Sequence, residues 1–192
     1  MGRPRAFDVD KALGRAMEVF WRQGYEATSL TDLTEAMEIN RPSLYAAFGN
    51  KEELFVKVLD RYLGEAGELI AGALAMPSAR EGMAFLLQKT AERLGDPRTP
   101  PGCLAVHGAL SCGKGDEAIR RKLAGACAGR EALLRQRFER ARREGELPAA
   151  ADPAALAGYF NTFLTGLAVE GAQGASRAAL RRAVQQAMLA WP

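Results

Sequence analysis

The stretch of sequence that decides the fold runs from Thr28 to Lys51 and reads TSLTDLTEAMEINRPSLYAAFGNK. Near its start, Ser29 and Asp32 have the spacing of a capping box, in which each side chain binds the backbone N–H of the other residue. This pattern predicts a short helix that runs to about Met37.

A second short helix follows after a tight turn. Asn40 is a good N-cap, and Pro42 is tolerated in the first helical turn, where its missing N–H has no intrahelical use. The helix is predicted to end at Gly49, and Asn50 with Glu53 then caps a third helix. Two helices joined by such a turn form a helix-turn-helix, whose second helix enters the major groove of DNA.

Two cations in this stretch occupy positions that helix physics alone does not favour. Arg41 and Lys51 each fall at the first position of a predicted helix, where free N–H groups already create partial positive charge. A cation there costs roughly a few tenths of a kcal/mol unless an anion approaches from outside. Phosphate is the natural anion at a helix N-terminus, so the pattern indicates contact with a DNA backbone. The alternative is that both are solvated surface residues.

The stretch and its flanks resemble the N-terminal domain of the TetR family of transcriptional repressors. The matching segments are VFWRQGYEATSL, TDLTEAMEI and NRPSLYAAFGNKEELF, which together cover residues 19–55. The resemblance implies that the helix beginning near Arg41 is the recognition helix. The chain departs from the family at Glu38, where relatives often have glycine. A left-handed backbone at that residue would cost about 1 kcal/mol.

The resemblance also implies which residues contact DNA. Base or groove contacts fall on four successive residues, Arg41, Pro42, Ser43 and Leu44. Contacts with the DNA backbone fall on Tyr45, Lys51, Thr28 and Thr31. An N-terminal arm with Arg3 and Arg5 could reach a minor groove or a phosphate, or could be a solvated tail. The prediction of DNA binding rests on where these cations lie and not on net charge. Residues 1–63 hold nine Lys and Arg against ten Asp and Glu.

The rest of the chain is predicted to be helical. Apolar residues recur at helical spacing, for example from Leu54 to Leu74, and strand-like alternation is absent. We predict an all-α protein of about nine helices, with an N-terminal three-helix helix-turn-helix domain and a larger helical regulatory and dimerisation domain. The predicted boundaries are 1–50 for DNA binding and 51–192 for ligand binding and dimerisation.

The resemblance implies that the last two long helices pair with their copies in a second subunit as a four-helix bundle. The apolar residues available for this are Leu156, Tyr159, Phe160, Phe163, Leu164, Leu167, Leu180, Val184, Ala187, Met188 and Trp191. The alternative is that both helices are core elements of a monomer. We favour a homodimer, because a two-fold protein that reads a palindrome doubles its DNA contacts.

A basic run in the long helix before them is predicted to be a solvated face. Its members are Arg135, Arg137, Arg140, Arg142 and Arg143. The nearby Glu131, Glu139 and Glu144 can supply ion-pair partners at i, i+4 spacing.

A repressor of this type responds to an effector, and an apolar pocket with a few polar groups could bind that effector. The candidate lining residues are Phe85, Thr90, Cys103, His107, Tyr159 and Phe163, each of which could equally be a core residue. Cys103 follows Gly102 at a predicted helix N-terminus, which makes a thiolate more available. Some relatives with Gly-Cys at a similar place respond to electrophiles or oxidants, so a sensor is one hypothesis and a small buried hydrophobe is the other.

Composition argues against other classes. The chain has a single histidine and no Gly-rich phosphate loop, nucleophile elbow or metal-binding cluster, so neither an enzyme nor a cofactor or metal is predicted. The polar N-terminus does not resemble a signal peptide, and no apolar run approaches the roughly 20 residues that cross a bilayer. The three cysteines suggest reduced thiols.

We predict a cytoplasmic homodimer that binds a palindromic double-stranded DNA operator and responds to a small-molecule effector or an electrophile. The alternatives are a helical interaction protein that has lost DNA binding and, less favoured, a small enzyme.

Overall fold

The computed structural model describes residues 7–111 and 117–192. Arg3, Arg5 and Cys112 lie outside these ranges. Within them the chain forms nine α-helices and no strand, which confirms the predicted all-α fold. The helices are α1 (Val9–Gln23), α2 (Leu30–Met37), α3 (Arg41–Phe48), α4 (Lys51–Leu74), α5 (Ala79–Leu94), α6 (Leu104–Ser111), α7 (Glu117–Arg143), α8 (Pro153–Ala172) and α9 (Arg177–Ala187), followed by a 3-10 turn at Met188–Ala190. None of the described helices is both long enough and apolar enough to cross a membrane.

A first core holds α1, α2, α3 and the N-terminal half of α4 together. Phe20 and Phe55 are fully buried at its centre, with ring centroids 4.8 Å apart and the rings nearly edge to face. Leu104 from α6 and two residues of α7, Ile119 and Leu123, also pack into this core. The helix-turn-helix is therefore braced from behind by the helices that follow it.

A second core joins α5, α7, α8 and α9. Phe138 and Phe160 are fully buried there, and Trp191 packs edge to face on Phe138 at 5.4 Å. Helix α4 reaches this core as well, because Ala73 near its C-terminus is buried among the same residues. One helix thus links the two cores along its length.

Six of the apolar residues predicted for a subunit interface are buried within their own chain. They are Phe160, Leu164, Leu167, Leu180, Val184 and Ala187. These six side chains contribute to the second core of their own chain, so they are not available as contacts with a second subunit. The exposed face of α8 is a different stripe, which includes Tyr159, Thr162 and Gly166 and has no charged residue between Pro153 and Gly166. A face without charge is typical of the centre of an interface.

The basic run of α7 is solvated only in part. Arg135 pairs with Glu139 at 2.9 Å and Arg140 approaches Glu144 at 3.9 Å, both as predicted. Arg137, however, is only 5% exposed, so the prediction of a solvated residue is wrong there. The sequence did carry the signal, because Arg137 lies at i+3 from the buried Leu134 on the apolar face of the helix.

Candidate DNA-binding surface

Local side-chain caps fix the ends of the two helices of the helix-turn-helix. Ser29 N donates to Asp32 Oδ2 at 2.8 Å and Asp32 N donates to Ser29 Oγ at 3.1 Å, which is the predicted capping box. The backbone N–H of Ser29, followed by its hydroxyl, lowers the pKa of Asp32. At the next helix, Asn40 Oδ1 accepts from Ser43 N at 2.9 Å. These caps are local, so they could be predicted from sequence.

The turn between the two helices contains a residue in a strained conformation whose side chain forms an exposed ion pair. Glu38 has φ 56° and ψ 40°, the left-handed conformation that favours glycine, and it is the one non-glycine residue with positive φ in the described chain. Its carboxylate lies 2.7 Å from the guanidinium of Arg15 on α1. The hydrogen bond from Arg15, and then its charge, lower the pKa of Glu38. The side chain of Glu38 thus connects the turn to α1.

The outward face of α3 carries Arg41, Pro42, Tyr45 and Ala46, all of them exposed. Tyr45 keeps 50% of its surface, which is high for a large ring. Leu44 is fully buried in the first core, so the prediction that it contacts DNA is wrong for its side chain. Its i+4 spacing to the buried Phe48 is the helical signal that places both on the inner face. Ala46 lies two residues from both Leu44 and Phe48, so it is on the opposite, exposed face of the helix, although it was not predicted to contact DNA.

Of the two threonines predicted to contact DNA at the start of α2, one is exposed and one is buried. Thr31 is exposed, and its Oγ1 accepts a hydrogen bond from Arg41 Nη2 at 2.9 Å. Thr28 is only 2% exposed, and its hydroxyl donates to the carbonyl of Gly24 at 2.6 Å. The predicted contact between the Thr28 side chain and DNA is therefore wrong in this conformation. Ser43 is half-buried at the edge of the surface.

Lys51 is positioned by its surroundings at the start of α4. Its ammonium lies 4.6 Å from the centroid of the Tyr25 ring and 3.4 Å from the carbonyl oxygen of Glu26. Both contacts place the charge near the start of α4 without neutralising it. In the described parts of the chain neither Lys51 nor Arg41 forms an ion pair with a carboxylate. Lys51 still acts through its charge on the carboxylate of Asp32, whose pKa it helps to lower, so the two helix N-termini present cations that no close ion pair within the described residues neutralises.

A junction behind this surface connects α1 with the second core. The indole N–H of Trp21 donates to the carbonyl of Pro101 at 3.2 Å, and the Tyr62 hydroxyl donates to Cys103 Sγ at 3.0 Å. The two rings are edge to face at 4.9 Å, and the Arg93 guanidinium lies over both. Burial, with the Cys103 thiol alongside, raises the pKa of Tyr62 well above its usual range, so its hydroxyl remains a donor.

The residues predicted to line a ligand pocket lie on α5, on α6 and just before it, and on α8. Thr90 Oγ1 donates to the Leu86 carbonyl within α5, while Phe85, Cys103 and Phe163 pack at the margin of the second core. Tyr159 is 42% exposed and stacks against Phe163 on the outer side of α8, away from the core. His107 donates its backbone N–H to the carbonyl of Cys103. A shared pocket for these six residues stays a prediction.

Two surface depressions in the described chain have other linings. One is lined by Pro77, Ser78, Arg80, Glu146, Trp191 and Pro192. The other lies between α5 and α9 and is lined by Lys89, Glu92, Arg93, Asp96, Thr99, Arg177 and Arg181. Neither includes a residue from the predicted pocket.

Comparison with known families matches both parts of the chain. Residues 12–58 match the model described as "Bacterial regulatory proteins, tetR family", and residues 83–188 match "Tetracyclin repressor-like, C-terminal domain". The second match alone covers more than half of the chain.

Individual relatives agree with these matches. The chain is 34% identical to the HTH-type transcriptional repressor ComR of Escherichia coli K12, over 100% of this chain and 92% of ComR. It is 46% identical to CifR, a TetR family transcriptional regulator solved as a cysteine variant with a 26-bp double-strand operator DNA, with a TM-score of 0.94 and 100% coverage of both chains. A regulator from Rhodococcus sp. RHA1 is 43% identical with a TM-score of 0.65, covering 96% of this chain and 100% of that one.

Proposed function

Because this chain belongs to the TetR family of bacterial regulatory proteins, we propose that it is a homodimeric repressor that binds a palindromic operator and leaves it when an effector binds. The observation that carries the proposal is the exposed α3 face, with unpaired cations at the N-termini of α3 and α4. CifR, which is similar over the full length, was solved with operator DNA, and ComR is named a repressor.

The other functions weighed above explain less. A helical interaction protein without DNA binding gives no reason for Arg41 and Lys51 to stand at helix N-termini without ion pairs. An enzyme does not fit a family of DNA-binding regulators. We place the repressor in the cytoplasm, where its operator would be. We also keep the division into residues 1–50 and 51–192, with α4 contributing to both cores.

The proposal is tested by fluorescence anisotropy with labelled intergenic DNA from beside its own gene. Two cations in each of two subunits should displace at least four counter-ions from the DNA phosphates. A plot of the logarithm of the association constant against the logarithm of the salt concentration should therefore have a slope of about −3.6 or steeper. An equal-length fragment of scrambled sequence, measured at the same salt concentrations, is the control for non-specific binding. Failure to prefer the intergenic fragment, or a slope near zero, would count against a DNA-binding repressor.

One specific contact favours an electrophile as the signal that releases the protein from DNA. Cys103 is half-buried at the junction of the two cores, and Tyr62 from α4 donates a hydrogen bond to its sulfur. Addition of the thiolate to an activated double bond forms an S–C bond, while the displaced π electrons take a proton from water. The adduct needs space that Tyr62 now fills, so the state in which α4 has moved away is favoured.

We expect N-ethylmaleimide to release the wild-type protein from DNA and to leave Cys103→Ser bound. The matched control is Cys127→Ser, which removes an exposed thiol on α7 and should respond like the wild type. Anisotropy before and after treatment measures the release, and mass spectrometry locates the adduct. Equal release of the wild type and Cys103→Ser would show that Cys103 is not the sensor and that release follows from modification of another thiol.

A further inference from the structure

The most unusual charged group outside the DNA-binding surface is the guanidinium of Arg137. The side chain retains only 3% of its surface, and its Nε and Nη1 have no hydrogen-bond partner in the described chain. Its Nη2 donates to Glu146 Oε1 at 2.9 Å, to the Pro77 carbonyl at 3.1 Å and to the Met76 carbonyl at 3.3 Å. A buried ion pair of this kind is a poor source of stability, because desolvation offsets most of its attraction. Its position therefore needs another explanation.

The contacts of Arg137 and Glu146 converge on the junction where α4 ends and α5 begins. The carbonyls of Met76 and Pro77 are those that follow the last turn of α4. Glu146 Oε2 accepts the backbone N–H of Ala79, the first residue of α5. One ion pair thus holds both sides of the α4–α5 junction to the end of α7. We call it the junction clamp, meaning Arg137 and Glu146.

Two neighbouring contacts leave the junction little freedom to slide. Arg140 Nη2 donates to the Leu74 carbonyl at 3.3 Å, at the end of α4. A Cβ built on Gly82 of α5 would lie 2.2 Å from the Ala73 carbonyl oxygen, so the two helices touch backbone to backbone. The angle at which α4 leaves the junction is therefore set by packing together with directed hydrogen bonds.

This angle matters because α4 is a long lever with the DNA-binding surface at its other end. Its 24 residues span about 36 Å, and its N-terminal half packs with α1, α2 and α3 in the first core. A tilt of about 5° at the clamp would displace the N-terminal end of such a rod by about 3 Å. That is close to the rise of about 3.4 Å between successive base pairs.

We propose that Arg137 and Glu146 are positioning residues that set the operator spacing read by the dimer. The inference rests on the proposed function, since spacing has a meaning only for a dimer that reads two half-sites. A clamp that holds α4 at one angle penalises operators whose half-sites lie one base pair closer or farther apart. Without the clamp, packing and the Arg140 contact alone hold α4, so the recognition helices adapt more easily to either spacing and discrimination falls.

The test compares the native operator with versions that have one base pair added to or removed from the centre. In Arg137→Met/Glu146→Gln, methionine keeps much of the apolar stem and the glutamine oxygen can still accept from Ala79 N. We expect its preference for native over altered spacing to fall about tenfold relative to the wild type. The matched control, Arg135→Met/Glu139→Gln, removes an exposed ion pair from the same helix and should keep the wild-type preference.

Each result decides between the two proposals. A folded, dimeric Arg137→Met/Glu146→Gln protein with the wild-type spacing preference would overturn the clamp. A wild type that prefers no operator at all would instead overturn the repressor function. Should the double variant fail to fold, Glu146→Gln decides. It keeps an oxygen that can accept from Ala79 N but removes the carboxylate that pairs with Arg137 Nη2, so unchanged spacing preference in Glu146→Gln would overturn the clamp.

Discussion

Replacement of Tyr45 by alanine is expected to weaken operator binding about thirtyfold without lowering thermal stability. The ring is half exposed on the outer face of α3, one turn after Arg41, so its removal leaves no cavity in the core. A hydrogen bond to phosphate that is lost in both half-sites removes about 1 kcal/mol from each, which together gives the thirtyfold change. Anisotropy at fixed salt measures the affinity, and thermal unfolding followed by circular dichroism measures stability.

Two further variants distinguish the loss of a DNA contact from a loss of folding stability. Tyr45→Phe keeps the ring and removes the hydroxyl, so it should show most of the loss if the hydroxyl binds phosphate. Leu44→Ala, at the neighbouring buried position, should instead lower the free energy of unfolding by about 2–5 kcal/mol. Wild-type affinity in Tyr45→Ala would mean that this face of α3 does not lie against DNA.

The caps and the turn were predictable because their determinants lie within four residues of each other. Ser29 with Asp32, and Asn50 with Glu53, form reciprocal bonds that depend on local spacing alone. Glu38 was singled out from a family pattern, and its left-handed backbone is now observed. Its ion-pair partner, Arg15, lies on another helix and could not have been predicted from the sequence.

The errors arose where tertiary packing decides which face of a helix is buried. Leu44 was carried over from its position in a motif, although its spacing to Phe48 places it inside. Phe160 and Leu164 were assigned to a partner subunit because an apolar helix does not reveal which of its neighbours it packs against. Arg137 was grouped with a basic run, and only the fold shows that it turns towards α4. Capping residues and apolar spacing predicted the helices well, but not which helices pack against each other.

The exposed stripe of α8 gives the last prediction, that Gly166→Glu separates the subunits. In one chain a Cβ at Gly166 meets nothing within 4 Å, and glutamate raises helix propensity by up to about 1 kcal/mol over glycine, so the isolated subunit has no reason to unfold. A two-fold interface places the same stripe against itself, so the two new carboxylates would be forced together without counter-ions. We expect a monomer by size-exclusion chromatography with light scattering, and operator affinity at least about 100-fold lower, because the second half-site no longer adds to the first.

Gly64→Glu, the same change on an exposed face of α4 with equally open space, should remain dimeric and bind DNA normally. A Gly166→Glu protein that stays dimeric and binds its operator like the wild type would place the interface on another face of the molecule.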